Sequence, residues 1–474
     1  MAAQENRCGK ANVWRRGGIM KGHKGFLPGF IVSGMLVLSA AHAQGPEILW
    51  WYDLRAPSFG SAAVGDIDAD GRPEIVFGTY FNDENIYALN AEDGTLLWSY
   101  DTRGCNDASP VIADADMDGH PEVVVPSSSG CVLYCFDGAT GAVKWETSTG
   151  QKSIDSPPAV ADLDEDGRPE IIFGTFNGGV YALNGEDGRI LWQVNLGKDS
   201  YIQSEPDVLD LNGDGKPEIV VAQYLGSNRV YALRGLDGGV LWYSDAPRGE
   251  MYHGGSFADI DRDGRPEILI GSFDNHVYAF NGEDGSLLWD YRAATPNGYI
   301  FGPTSVADLN ADGRLEIVYA SADQMGVLSD EGLLLWSFHA AGEAAEILRG
   351  AAIADLDGDF KPDLAFGSDD GLVHVLRGCD GLVLWEFDLQ AHYGRRFGID
   401  HAPVVADFNE DGALDLFIIG GYGTYPAGGN HGRAYALAGG GSGSGWPMFR
   451  HDPVHSGTFQ SQKEGGHSRP VTKP

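Results

Sequence analysis

Carboxylates spaced two residues apart and closed by a glycine can aim several oxygen atoms at one point, and this chain repeats that arrangement, with a few substitutions, eight times. The first loop offers Asp66, Asp68, Asp70 and, beyond Gly71, Glu74. The second offers Asp114, Asp116, Asp118 and Glu122; the third Asp162, Asp164, Asp166 and Glu170; the fourth Asp210, Asn212, Asp214 and Glu218. The fifth offers Asp259, Asp261, Asp263 and Glu267; the sixth Asp308, Asn310, Asp312 and Glu316; the seventh Asp355, Asp357, Asp359 and Asp363; the eighth Asp407, Asn409, Asp411 and Asp415. Calcium suits this chemistry, because it is a hard ion that takes about 6 to 8 oxygen ligands at about 2.3–2.6 Å. A glycine at the sixth loop position permits the positive φ of a sharp turn. The expected cofactor is Ca2+, up to eight ions per chain.

An EF-hand opens in the same way but needs a bidentate glutamate at position 12 and flanking helices. Position 12 of the first loop is Phe77, inside a β-rich run. Asp-Gly clusters also make plain turns, yet eight in one register ask for more than turn-making. The seventh loop, with Phe360 in place of the glycine, is expected to be the weakest, and Asn212, Asn310 and Asn409 each give up one carboxylate. Together these positions hold 29 of the 68 acidic residues, so the formal charge of −36 is in large part metal-site acidity rather than a sign of disorder.

Loops of this kind need rigid flanks. They recur every 47 to 52 residues, a period that fits propeller blades. In the third copy Ala159–Leu163, Glu170–Thr175, Val180–Asn184 and Ile190–Leu196 read as strands separated by Gly and Asp-Gly turns. Four antiparallel strands make one blade. The expected fold is therefore all-β: an eight-bladed β-propeller of four-stranded antiparallel blades over residues 44–460. A Trp-bearing outer strand follows only seven of the loops, ending with the one at Trp385, whereas Glu47–Tyr52 matches that phrase ahead of the first loop. The N-terminal strand is thus expected to complete blade eight and close the ring, removing free sheet edges; Gly445–Arg450 is the rival for that place.

The D-x-D-x-D-G loop followed by Pro-Glu-Ile-Val-Phe-Gly resembles the FG-GAP (VCBS-type) repeats of integrin α-subunit propellers and of many secreted bacterial proteins. The phrase Val180-Tyr181-Ala182-Leu183-Asn184-Gly185-Glu186-Asp187-Gly188, with Leu191-Trp192 after it, looks like the blades of PQQ-like propellers, as does Trp446 to Gly457. The resemblance covers essentially residues 45–457 and implies the propeller and its calcium, while leaving activity open, since both groups include enzymes and non-enzymes. It also implies that metal loops share one face and that ligands meet the connectors running from one blade's last strand to the next blade's first.

Those connectors are where the copies differ most. From each Trp to the next loop the spacing is 16 to 18 residues for the first five, then 19, 19 and 22. The longest brings Tyr393, Arg395, Arg396 and His401, candidate ligand-binding residues for a carbohydrate or protein ligand. With no G-x-S-x-G, H-E-x-x-H or P-loop phrase, a non-catalytic binding or scaffold protein is the leading expectation. A calcium-dependent polysaccharide lyase, using His253, His401, Arg395 and Arg396, is the alternative, and a PQQ-dependent dehydrogenase the third reading.

Residues 1–43 read as a secretory signal peptide: basic residues, the apolar run Phe26–Leu38 and a small-residue exit at Ala41-His42-Ala43. Arg15-Arg16 leaves a twin-arginine signal as an alternative, and Met20 opens a more ordinary leader than Met1. Its removal takes six basic residues and one acidic, five net positive charges, so −36 becomes −41. That charge argues against nucleic acid and anionic membranes as partners, and no apolar run reaches the roughly 20 residues of a membrane span. The expected product is an exported monomer with a disordered tail at 461–474. Of its four remaining cysteines, Cys105 and Cys131 are the expected pair.

Overall fold

Among the described residues, thirty-two strands alternate with tight turns from residue 48 to residue 438 and gather into eight four-stranded antiparallel sheets. The computed structural model describes residues 45–80, 83–296, 298–340, 345–424 and 428–441. The leader, the rival closing segment at Gly445–Arg450 and the tail at 461–474 lie outside the described residues. Blade one is Ala63–Gly65, Glu74–Gly78, Asn85–Asn90 and Leu96–Asp101, and the next six repeat its order. In the third, Ala159–Ala161, Glu170–Gly174, Gly179–Asn184 and Ile190–Asn195 agree with the strands expected from sequence. Blade eight is completed from the other end of the chain: Ile48–Leu54 pairs antiparallel with His431–Ala438, Trp51 opposite Tyr435 and Tyr52 opposite Ala434. The ring is therefore closed by the N-terminal strand.

Each strand's composition fits its radius. Innermost strands are three residues long and mostly carry small or slender side chains, as in Ala159-Val160-Ala161, with Phe257 in blade five an exception. Second strands such as Glu170–Gly174 are buried along their whole length because neighbouring blades cover both faces. Outermost strands alternate between exposed and half-buried positions. The cores lie between blades; one joins Val76, Ile86 and Ala88 of blade one to Val123, Val125 and Phe136 of blade two.

Tryptophan fastens adjacent blades. The indole N–H of Trp50, in the closing strand, donates to Ala91 O of blade one at 2.7 Å; Trp98 and Trp145 donate to Gly138 O and Gly185 O of the following blade, and Trp192, Trp242, Trp289 and Trp336 repeat the contact. A glycine two or three residues further on lies against the same ring. A Cβ on Gly188 would come within 2.5 Å of Trp145, and its φ is +68°. The Asp-Gly turn of the repeat is thus both a turn and the seat of the neighbouring indole.

Candidate functional site

Every acidic loop joins a blade's first strand to its second, so the ladder pins both ends: Gly65 faces Glu74, and Ala161 faces Glu170. The carboxylate at position 9 opens the second strand and is buried. One of its oxygens accepts the N–H of position 2, at 2.8 Å from Ile67 to Glu74, 2.8 Å from Leu163 to Glu170, 3.0 Å from Leu356 to Asp363 and 3.2 Å from Phe408 to Asp415. The first aspartate accepts the N–H of position 6, as from Gly71 at 3.1 Å and Gly167 at 2.9 Å. Phe360 keeps this bond, at 3.0 Å to Asp355, by adopting φ +64° itself. Position 4 is left-handed as well: Ala69, Met117, Glu165, Arg262, Ala311 and Glu410 all have φ between +60° and +66°.

These donor sets fit calcium. Two oxygens that both bind the ion at about 2.3–2.6 Å can lie at most about 5 Å apart. One oxygen from each of Asp66, Asp68 and Asp70 falls within 4.8 Å of the others, and so do those of the third, fifth and seventh loops. Among the described residues no Lys, Arg or His forms an ion pair with the aspartates of these four loops. Burial, then the charges of Asp68, Asp70 and Asp66, pushes the Glu74 carboxyl up to about 7. Burial likewise raises Glu170, Glu267, Glu316 and Asp363 to about 7 and Asp415 to about 6. Asp363 Oδ1 is buried with no hydrogen-bond partner among the described residues. In the fourth and sixth loops Asn212 and Asn310 each turn Nδ2 to the position-9 glutamate at 3.0 Å, satisfying the oxygen left bare in the seventh.

The second loop is different. Lys144, on the blade's outermost strand, brings its ammonium to Glu122 Oε1 at 2.8 Å, to Asp118 Oδ2 at 3.5 Å and into contact with Asp116 Oδ2. Burial draws the Lys144 pKa down, but the hydrogen bonds and charges of Asp116 and Glu122 outweigh it and raise the pKa, so the ammonium stays charged. Sequence reasoning missed this residue.

On the opposite face the connectors converge. Residues seven or six places before the loops meet around Arg349: its guanidinium donates to Phe59 O and to Asp400 O, the latter at 3.3 Å, and contacts His253 Nε2. Its carbon also lies 5.8 Å from the Phe59 ring centroid and 5.7 Å from that of Phe301. His253 Nδ1 sits 2.7 Å from Glu205 Oε1. Burial pulls the His253 pKa down and holds the ring neutral. One guanidinium therefore ties together connectors of blades one, five, six, seven and eight. His401 belongs to this interior rather than to the surface expected of it. It is 1% exposed, its Nε2 accepts the Ala62 N–H at 3.0 Å, and burial followed by the Arg349 charge pulls it down to about 3.

Tyr393, Arg395 and Arg396 remain together near the surface. Tyr393 ends the short helix Leu389–Tyr393 and stacks on His431 at 5.2 Å, with Arg395 5.1 Å and Arg433 4.8 Å from its ring centroid. Arg396 lies over Tyr422 at 4.6 Å. Arg433 also stands 5.3 Å over Trp51, which is 52% exposed. Arg433 and Trp51 thus join the expected residues, brought there by closure of the ring. Cys105 and Cys131 are both buried on adjoining segments: Ser128 N–H donates to Cys105 O at 2.8 Å, and Cys105 N–H donates to Ser129 Oγ at 2.9 Å. Cys131 lies in the turn before the strand Val132–Asp137, which carries Cys135.

The FG-GAP-like repeat family matches residues 162–221, 210–270 and 259–319, and the family of the outer membrane protein assembly factor BamB matches residues 14–154. The chain is thus an eight-bladed propeller that carries FG-GAP-like repeats in its middle blades and PQQ-like features in its first ones. No curated protein matches it. The V. cholerae biofilm matrix protein Bap1 shares the fold at TM-score 0.62 and 16% identity over 83% of this chain and 91% of that one. BamB from Moraxella catarrhalis does so at 0.54 and 14% over 81% and 98%, and the quinohemoprotein alcohol dehydrogenase from Comamonas testosteroni at 0.59 and 14% over 86% and 78%. At these identities the likeness is one of fold.

Proposed function

We propose that this chain is an exported, calcium-braced propeller that acts as a non-catalytic binding or scaffold protein for a carbohydrate or protein ligand. The observation that carries this reading is the division of chemistry between the faces. One face repeats a single acidic loop, and the other is made of connectors that no two blades share. Repetition suits a structural brace, whereas variation concentrated in connectors on a rigid ring suits recognition. The surface cluster of Tyr393, Arg395 and Arg396, with Arg433 and Trp51, supplies the aromatic and guanidinium groups that carry most binding energy at interfaces. The lyase alternative is weakened because His253 and His401, its acid–base candidates, are 5% and 1% exposed. No helix among the described residues is long and apolar enough to cross a membrane. The leader-like sequence of residues 1–43 supports export.

Glycan and peptide arrays, probed with the calcium-loaded protein and after chelation, test the reading. Saturable binding without product, lost on replacing Tyr393, Arg395 and Arg396 together by alanine in a normally melting protein, is the expected result. Unsaturated sugar products absorbing in the ultraviolet would replace it with the lyase alternative.

A further inference from the structure

Seven of the eight blades place leucine immediately before the outer-strand tryptophan: Leu49, Leu97, Leu191, Leu241, Leu288, Leu335 and Leu384. Blade two alone has Lys144 there. Burial does not explain the choice, since Leu191, Leu241, Leu288 and Leu335 are 41, 43, 41 and 49% exposed. The lysine side chain, 25% exposed, instead crosses the blade, and its ammonium rests on oxygens from positions 3, 5 and 9 of its own loop.

We propose that Lys144 is the resident cation of the second loop, so that this loop takes no calcium under conditions that fill its neighbours, and that Lys144→Leu opens it to one ion. The inference rests on the reading that the other loops bind calcium. Asp116 and Glu122 stand at the loop positions that Asp164 and Glu170 hold in the third loop, and Asp116 and Glu122 are also two of the three groups whose oxygens cluster in the second loop; oxygens engaged by an ammonium cannot serve a divalent ion as well. The two cations would repel at contact distance, so calcium must displace the lysine. The lysine holds an advantage that free calcium lacks, because its tether keeps it at a fixed, high local concentration. The second loop is therefore braced by a covalent part of the chain and stays braced when calcium is withdrawn.

Calcium counting on the full chain tests this, by native mass spectrometry or by atomic emission after gel filtration. Lys144→Leu restores the residue of the other blades and should carry one ion more than wild type. The reciprocal Leu191→Lys, which places an ammonium beside the third loop, should carry one fewer. Equal counts in wild type and Lys144→Leu overturn the inference and leave the calcium reading standing. If neither protein holds calcium, the calcium reading fails, and melting in chelator at pH 8 decides for the lysine. Lys144→Leu melting several degrees below wild type upholds Lys144 as the loop's cation, and identical melting overturns it.

Discussion

Phe360→Gly should stabilise the protein although it deletes an aromatic side chain. Phe360 occupies the sixth position of the seventh loop at φ +64°, where the other loops have glycine at φ +80° to +95°. Left-handed backbone costs a residue with a Cβ roughly 1–2 kcal/mol. The freer unfolded chain of glycine gives back about 0.5–1 kcal/mol. The ring is 86% exposed, so its removal forfeits almost no burial, and the N–H bond to Asp355 Oδ2 at 3.0 Å survives the change. The net gain is about 0.5–1 kcal/mol, a rise in melting temperature of no more than about 2 °C in a chain of this length. Urea unfolding in chelator is the sharper assay, with wild type and variant side by side. The control is Gly313→Phe in the sixth loop, where φ is +80° and an added Cβ would meet nothing within 4 Å; it should lose a similar amount. A lower midpoint for Phe360→Gly would refute the reasoning, and a neutral Gly313→Phe would show that these loops tolerate any residue.

Truncation through Leu54 removes the closing strand and should leave an aggregating protein with His431–Ala438 uncovered as a sheet edge, whereas truncation from Trp446 should cost far less; gel filtration and melting distinguish them. Trp98→Phe keeps the ring but strands the Gly138 carbonyl that accepts the indole N–H; the expected cost is about 1–3 kcal/mol, read as a shifted urea midpoint, and an unchanged midpoint would dismiss the latch. In chelator, melting temperature should fall as pH rises through about 7, because Glu74, Glu170, Glu267, Glu316 and Asp363 have folded-state values near 7. Folded-state values raised above the unfolded ones mean stability that is full below about 4.5 and lost as the groups ionise; saturating calcium should abolish the slope, and a flat profile in chelator would count against it.

The period, the four strands per blade and the closing strand were legible because each is written as a local phrase that repeats, and because the phrase Glu47–Tyr52 stands at the wrong end of the chain for its blade. The loop positions were legible for the same reason. Left-handed backbone at Ala69, Met117, Glu165 and Glu410 was not, since position 4 takes any residue type while only position 6 advertises itself with glycine. Lys144 was hidden because it lies 22 residues after Glu122 and reaches it only through the register that sets Trp145 opposite Cys135 and Cys135 opposite Val124. His401 reads as surface and Arg349 escapes notice because both stand in connectors, which look exposed in the sequence. Closing the ring turns the last residues of each connector inward to the axis. Arg433 and Trp51 are 382 residues apart and become neighbours only when the two chain ends share a blade.

Calcium content measured together with melting temperature, before and after chelation, tests the central claim most directly. A ligand bound only to the folded state adds about 2.7 kcal/mol per site at a hundredfold excess over its dissociation constant. Seven loops without a resident lysine should therefore give several ions per chain, a fall of many degrees on chelation and recovery when calcium returns. A chain that holds no calcium and melts at the same temperature in chelator would contradict the account.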